Sequence, residues 1–553
     1  MHIAVVHGYL LRGTGSNLFT QNLCREFCRL GHRVSLFCQE PAPQDFDFVS
    51  CAFEFEPQGD RPALLWERGT PYAGKCDFYR PLLSGPLPVY VYDHYRGFTV
   101  KEYPDLTPRE IETYIECNRR ALASVFAANR PDLVLSQHLI MQPVYAARAL
   151  RGLGRCRHYL TVHGSALNFS VRRSTLLRDY AREALTACDR VVCVSEAGRE
   201  ELLSFFSHDR SLEEKTAVIP VGVDVSLFSP LAEGESKASR LRPLLEGPLR
   251  AESNGDLFPS WRRFLSQAVA EASDAHGLAS LLESARKDLS GRETDPEAVR
   301  SLSAINWERD AVVLYHGKFL WTKGAQLLLA AAPLVWQRHP SARFILVGFG
   351  TGRAHLEALA AALEYGRREL FVEMLSRPDL LEPGADPGSS LYARALLDML
   401  AGGAAADDYF TAARGRVSDG VIFTGYLDHE QLKYLLPCAE VATAPSIFPE
   451  AFGLVAVEAL SSGIIPLLAN HSGFKEVIRE VVEEFSDTFE ENRFKPLFLD
   501  EELALSLAKN ISAFLDHYSK MDEEGRRNVR LRAHRIAQSR YSWSAVASSY
   551  LSL

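Results

Sequence analysis

Apolar runs and polar turns alternate along the first forty residues in the order strand, loop, helix, strand. HIAVVH (2–7) is a short apolar run, and LRGTGSN (11–17) is a glycine-bearing loop. NLFTQNLCREFCRLG (17–31) carries apolar residues at helical spacing and stops at Gly31. HRVSLFC (32–38) is the next strand. This is one βαβ unit, and it predicts a parallel sheet with right-handed crossovers. The rhythm continues through PDLVLSQH (131–138), RHYLTVHG (157–164), DRVVCVSE (189–196) and TAVIPVGVD (216–224), each reached through a helix-like stretch. It resumes in AVVLYHGKF (311–319), SARFILVGFG (341–350), GVIFTGYL (420–427), VATAPSIF (441–448) and IIPLLAN (464–470).

Two segments break the rhythm. Residues 231–303 are polar and helix-prone, and read as an inserted helical segment or a mobile linker. Residues 366–418 carry EPGADPGSS and AGGAAADD around one helical patch, where a short helix-to-strand link would suffice. The pattern is that of two α/β halves with insertions, and 553 residues is ample for two large domains. Ligands in such sheets bind at the carboxyl ends of the strands.

Composition narrows the partners. Net charge is −9, which speaks against wholesale nucleic-acid binding. No run reaches the ~18–20 apolar residues a spanning helix needs. MHIAVVHGY has no basic n-region and no cleavage site, so it reads as a first strand. The ten cysteines include no CxxC pair, as expected for reduced thiols in a cytoplasmic protein. Cys24 and Cys28 share a helix face but lack a histidine pair to complete a zinc site.

The densest chemistry lies in SIFPEAFGLVAVEALSSGIIPLLAN (446–470). Glu450 and Glu458 stand eight positions apart, around a small-residue turn at Phe452 and Gly453 and a helix that ends at Gly463. A helix starting near Gly453 turns its first N–H groups toward the loop and attracts a diphosphate by geometry and dipole. Glu458 then sits a turn or more inside the helix, on the order of 10 Å from Glu450. Two carboxylates flanking a phosphate site suit a nucleotide sugar. Taken alone, the same spacing also describes a solvated helix with two ordinary glutamates.

The segment resembles the E-x7-E region of the retaining GT-B glycosyltransferases of family 4, and other stretches agree with it in order. GTGSN (13–17) resembles the glycine-rich loop after the first strand, and TVHGSAL (161–167) the strand-end histidine motif. IPVGVDVSLFSP (219–230) is similar to the segment before the domain linker. HGKFLWTKGAQLLL (316–329) is similar to the one that supplies cationic phosphate ligands. The tail YSWSAVASSYL (541–551) resembles a helix that crosses back to the first domain.

The resemblance implies two Rossmann-like, doubly wound domains facing a cleft, with helical insertions. Residues 1–230 would form the acceptor domain, 231–303 the insertion or linker, 304–535 the nucleotide-sugar domain, and 536–553 the returning helix. It implies that Glu458 binds the ribose hydroxyls and Glu450 the donor sugar. Phe452, Gly453 and Leu454 would offer backbone N–H groups, and Lys318 and Lys323 would neutralise the diphosphate. His163 would sit over the donor sugar, and Gly13 and Gly15 would let the first loop approach closely. The bland readings are exposed loop lysines, a satisfied strand-end histidine and turn glycines. Two departures stand out. Lys318 replaces the family's usual arginine and loses its planar fork. Val221 replaces the asparagine of the family's asparagine-glycine-valine-aspartate turn.

The implied reaction moves a hexosyl group from a UDP- or GDP-sugar with retention, by front-face attack and without metal or cofactor. Asp407 and Asp408 lie in the second interrupted segment, away from the donor motif. Domain closure would exclude water. The acceptor stays open among a glycan, a lipid-linked and a small-molecule substrate. VRRSTLLRDYAR (171–182) reads either as a basic face resting on a membrane or as a solvated amphipathic helix. The rival readings are a nucleotide-sugar-binding scaffold and a sugar-nucleotide epimerase. A dinucleotide oxidoreductase is disfavoured, because GTGSN lacks the full G-x-G-x-x-G pattern.

Overall fold

The computed structural model describes all residues except 14, 56–60, 91–94, 96, 248–256, 383–384 and 489–495. Thr14 of the GTGSN stretch and short pieces of both interrupting segments therefore lie outside the described residues. The chain divides into two compact units, Met1–Gly222 with Arg540–Leu553, and Val223–Ser539.

The strands of the first unit are β1 (His2–Val6), β2 (Arg33–Phe37), β3 (Val49–Phe55), β4 (Pro62–Glu67), β5 (Lys75–Arg80), β6 (Leu87–Val89), β7 (Val100–Glu102), β8 (Leu133–Gln137), β9 (Arg157–Val162), β10 (Arg190–Cys193) and β11 (Thr216–Val218). Nine of them form one sheet in the order β11-β10-β9-β8-β1-β2-β5-β3-β4. Every pairing in it is parallel except β3 with β4. The stretch 49–80 was not legible as strands. Edge strand β4 (PALLWE) exposes both Leu64 and Leu65, so it lacks the alternation that marks a one-sided strand.

The first helix runs Gly15–Arg29. Gly15 is therefore its first residue, not a residue of an extended loop as the sequence suggested. Helix Trp543–Ser552 belongs to this unit. It is capped by Ser542, and its Trp543 indole packs on Gly222, where a Cβ would sit 2.5 Å from the ring. Tyr550 hydroxyl meets Thr161 Oγ1 at 2.9 Å. The apolar residues of 171–182 turn to the core. Val171, Leu177, Tyr180 and Ala181 are buried, and only Arg172, Arg173, Thr175, Asp179 and Arg182 are exposed. The stretch is thus amphipathic, with its apolar residues in the core of the unit and Arg172, Arg173 and Arg182 exposed. No helix among the described residues is long and apolar enough to cross a membrane.

The second unit is built on β12 (Val312–His316), β13 (Arg343–Val347), β14 (Val421–Gly425), β15 (Val441–Ala444) and β16 (Pro466–Leu468). They form an all-parallel sheet in the order β14-β13-β12-β15-β16. Counted in chain order, this is 3-2-1-4-5, and β5-β2-β1-β8-β9 repeats it in the first unit. In each sheet the strand order reverses beside the first strand, between β1 and β8 and between β12 and β15. That reversal opens the crevice in which doubly wound sheets take ligands.

Both interrupting segments are helical. The first contains helices Lys237–Glu246, Leu257–Glu271, Ala275–Asp288 and Ala298–Ala304. A buried ionic network fastens it. Asp295, fully buried, accepts from Arg353 at 2.7 Å and Arg262 at 2.5 Å. Glu357 accepts from Arg353 at 2.8 Å and from the Trp261 indole at 2.6 Å. The second segment carries helices Arg368–Ser376, Arg394–Leu400 and Ala404–Ala413 with shorter turns between them. This corrects the reading of one helical patch in a long loop. Leu370, Phe371, Met374, Leu396, Tyr409 and Phe410 are buried, so the segment has an apolar face of its own.

Candidate active site

At the β12–β15 crevice the chain makes two turns that hold one another. After β12, a short turn at Trp321–Lys323 leads through Gly324, whose φ is +78° and whose Cβ would lie 1.9 Å from the Pro445 carbonyl oxygen. No side chain fits there, so the loop after β15 presses directly on this turn. Ile447 N–H and Ser446 Oγ both donate to the Thr322 carbonyl, at 2.9 and 3.1 Å. His471 Nε2 binds the Ser446 carbonyl at 2.7 Å, and Gly473 N–H donates to the Glu450 carbonyl at 3.0 Å.

This frame brings Lys323 Nζ to 2.5 Å from Glu450 Oε1, with both side chains partly exposed. Lys318 is exposed on the loop after β12. Helix Leu454–Ser461 starts beside the pair. Gly453 caps it with φ +97°, and Phe452 beneath it is buried. The first N–H groups of this helix have no intrahelical partners and carry the positive end of its dipole.

Glu458 lies one turn inside the helix and is buried. His316, the last residue of β12, meets its Oε2 at 3.0 Å, and His429 Nε2 lies 3.3 Å from its Oε1. Burial pushes the Glu458 carboxyl up. The charge on His429 and the hydrogen bonds of His316 and His429 outweigh that and hold it well below the ordinary carboxylate range. For His429, burial acts downward, and the Glu458 charge overcomes it and raises the imidazole. The result is a fixed anion with two imidazole neighbours. Neither histidine was singled out from the sequence. One signal was available for His429: Asp428 and Gln431 form a capping box that starts its helix at that residue.

A second polar cluster sits at the β1–β8 crevice of the first unit. His7 follows β1, His138 follows β8 and His163 follows β9. The His138 ring lies 5.0 Å from His163 and 5.9 Å from His7, and 4.6 Å from Tyr90. His163 Nε2 is 2.8 Å from Gln137 Oε1, and His7 Nε2 is 2.9 Å from Asn17 Oδ1. Burial lowers His7 to about 4 and, with His7 beside it, His163 to about 3. His138 falls too, again by burial first. All three imidazoles are therefore neutral near pH 7. His138 holds a left-handed backbone, φ +67°, which a non-glycine residue rarely adopts. Neither of its ring nitrogens, nor Gln137 Nε2, has a hydrogen-bond partner among the described residues. Gly13 (φ +101°) lies on the loop after β1, and Gly15 opens the following helix. His7 and His138 were not singled out from the sequence, because strand-end histidines carry no spacing signal.

Comparison with known proteins agrees with this architecture. Residues 13–227 match the family model described as Glycosyltransferase Family 4. Residues 303–382 and 408–528 match that described as Glycosyl transferases group 1. The stretches left out, 228–302 and 383–407, lie on the two helical interruptions. An uncharacterized glycosyltransferase of Methanocaldococcus jannaschii is 23% identical over 173 residues, which span 31% of this chain and 30% of that protein's length. Sucrose-phosphate synthase from Thermosynechococcus elongatus is similar in structure, with a TM-score of 0.52, 18% identity, and coverage of 100% of this chain and 97% of that one. The catalytic domain of starch synthase IV from Arabidopsis thaliana bound to ADP and acarbose gives 0.50, 14%, 100% and 98%. HepE of Anabaena in complex with UDP gives 0.50, 14%, 100% and 99%. At these identities the likeness to the solved structures is one of fold, the two-Rossmann-unit GT-B architecture.

Proposed function

Because the chain belongs to the GT-B glycosyltransferases of the family 4 type, we propose that it moves a hexosyl group from a UDP- or GDP-sugar to a hydroxylated acceptor. One observation carries this reading. Both glutamates of the E-x7-E segment, Lys323 and the N-terminus of helix Leu454–Ser461 meet at the strand-end crevice between β12 and β15. A nucleoside diphosphate fits that set. Its diphosphate lies at the helix N-terminus beside Lys323, with Lys318 on the neighbouring loop. Glu458, held ionised by two histidines, accepts from the ribose diol. Phe452, Gly453 and Leu454 supply backbone N–H groups, and Glu450 accepts from the sugar hydroxyls. That the Anabaena protein of the same fold is held in complex with UDP supports a nucleoside diphosphate ligand.

The chemistry follows from charge. As the glycosidic bond breaks, the leaving diphosphate gains negative charge. Fixed cations and helix N–H groups beside it therefore stabilise the transition state more than the ground state. Transfer goes with retention by front-face attack, the departing phosphate oxygen taking the acceptor's proton. No metal is needed for that charge balance. The neutral imidazole cluster of the first unit, with Gly13 and Gly15 on the adjoining loop and helix start, suits acceptor hydroxyls, and His163 is its catalytic member.

The test is ligand-induced thermal stabilisation by UDP, GDP and their hexose conjugates, with and without EDTA, in wild type and Glu458→Ala. A ligand at 100 times its Kd adds about 2.7 kcal/mol. Stabilisation that survives EDTA and disappears in the variant supports the donor site. No stabilisation by any nucleotide refutes it. Product NMR then decides the anomeric outcome, and an inverted product overturns the retaining mechanism.

A further inference from the structure

The first helical interruption ends by binding itself into the sheet. Asp295 N–H donates to the Thr424 carbonyl at 2.8 Å, and Tyr426 N–H donates to the Glu293 carbonyl at 3.0 Å. Thr294 Oγ1 donates to the Tyr426 carbonyl at 3.0 Å. Gly425 makes this approach possible. Its φ is +72°, and a Cβ there would lie 2.3 Å from the Glu293 carbonyl oxygen. With Asp295 locked between Arg353 and Arg262, the segment 293–295 is pinned to the carboxyl end of β14.

Pinning it there fixes Arg292. Its guanidinium lies 5.0 Å from the ring centre of Phe349 and 5.7 Å from that of Tyr426. The two rings meet edge-on, 5.3 Å apart at 90°. Phe349 follows β13 and Tyr426 follows β14, so the cluster stands at the same sheet end as Glu458, on the side away from β15. His429, in contact with Glu458, is three residues beyond Tyr426. A nucleotide with its ribose at Glu458 and its diphosphate at Gly453 on the β15 side therefore runs its base toward β13 and β14.

Resting on the donor reading above, we infer that Arg292, Phe349 and Tyr426 form the base subsite. In it, Arg292 selects a base that presents carbonyl acceptors, uracil or guanine, over adenine. A ring face that the guanidinium leaves open holds any base by stacking and does not discriminate. The guanidinium only donates hydrogen bonds, so it pairs with the carbonyl oxygens of uracil or guanine and opposes the exocyclic amine of adenine. The helical insertion is thus a specificity element of the donor site, and the ionic network that fastens it also anchors the segment that carries the exposed Arg292.

The experiment measures Kd for UDP, GDP and ADP by calorimetry on the full chain, for wild type, Arg292→Ala and Tyr426→Leu. A charged hydrogen bond is worth about 1.5–3 kcal/mol, so wild type should bind UDP or GDP about tenfold or more tighter than ADP. Arg292→Ala should reduce that preference to about threefold or less by weakening the keto nucleotide, with ADP affinity within about twofold. Tyr426→Leu should weaken all three by a similar factor. Wild-type preference for ADP, or a preference untouched by Arg292→Ala, overturns the assignment while leaving the donor site standing. If wild type binds none of the three, the donor-site reading itself falls, and this inference with it.

Discussion

Gly453 caps the helix of the donor site, and three glycine-to-alanine substitutions separate the forces acting on it. Gly402 has ordinary φ and no atom within 4 Å of an added Cβ. Gly403 has the same open space but φ +88°. Gly453 combines φ +97° with a Cβ that would lie 2.1 Å from Phe474 Cε1 and 2.6 Å from its Cδ1. Phe474 is fully buried, so its ring has nowhere to retreat without moving the core. Gly402→Ala should be neutral or stabilising by up to ~1 kcal/mol, through the unfolded chain. Gly403→Ala should lose ~1–3 kcal/mol to its backbone alone, because φ +88° with ψ 178° is a conformation essentially reserved for glycine. Gly453→Ala should lose ~1–2 kcal/mol to its own left-handed backbone, φ +97° and ψ +72°, and a further ~1–3 kcal/mol of overpacking, for a total of ~2–5 kcal/mol. Denaturant unfolding followed by tryptophan fluorescence reads this directly, because four of the six tryptophans lie in the second unit. The reasoning fails if Gly453→Ala costs no more than the ~1–2 kcal/mol of its backbone alone. It also fails if a double-mutant cycle with Phe474→Leu shows no coupling between the two positions, since they are in contact.

Glu458→Gln tests the buried acid through pH. The lowered Glu458 contributes stability present above about pH 4.5 and lost below it, and the raised His429 contributes stability below about pH 6.5 that is lost as pH rises through its folded value. Wild type should therefore exceed the variant most between those limits, and a pH-independent difference would refute the pairing. With His163 held at about 3, kcat/KM should show no ionisation of this residue between pH 5 and 8, and a limb near 6.5 that disappears in His163→Ala would contradict its burial. Lys323→Ala should raise the Kd for UDP about tenfold or more while leaving uridine binding unchanged; equal loss for both ligands would place the lysine away from the diphosphate. Arg353→Met leaves Asp295 and Glu357 short of a buried partner and should cost about 3–5 kcal/mol by denaturant unfolding; a loss under 1 kcal/mol would show that Arg262 alone compensates.

The strands beside the crevices were legible because they are buried on both faces and read as apolar runs, as in VVLYH and HIAVV. The donor motif was legible because its function needs a fixed local order: acid, glycine turn, helix, second acid. Edge strand β4 escaped because exposure on both sides erases its period. The helical character of 366–418 was underread because its Gly and Pro clusters mask short amphipathic helices between them. His316, His429, His7 and His138 were missed for a different reason. Each is an isolated residue whose partner lies far away in sequence, and such pairs have no local signature.

What the chain alone determined is what repeats or what is contiguous: two α/β units, the helix at Gly453, the two glutamates and the lysine-bearing loop. Periodicity and turn chemistry act over a few residues, so they can be read without the fold. Only the tertiary structure decided that Lys323 meets Glu450 across 127 positions, that two histidines hold Glu458 ionised, and that an insertion reaches the end of β14 with Arg292 over two aromatic rings. These depend on strand order and on backbone approaches allowed by Gly324 and Gly425. Contacts of that kind come from the packing of distant segments, and no window of sequence contains both sides of them.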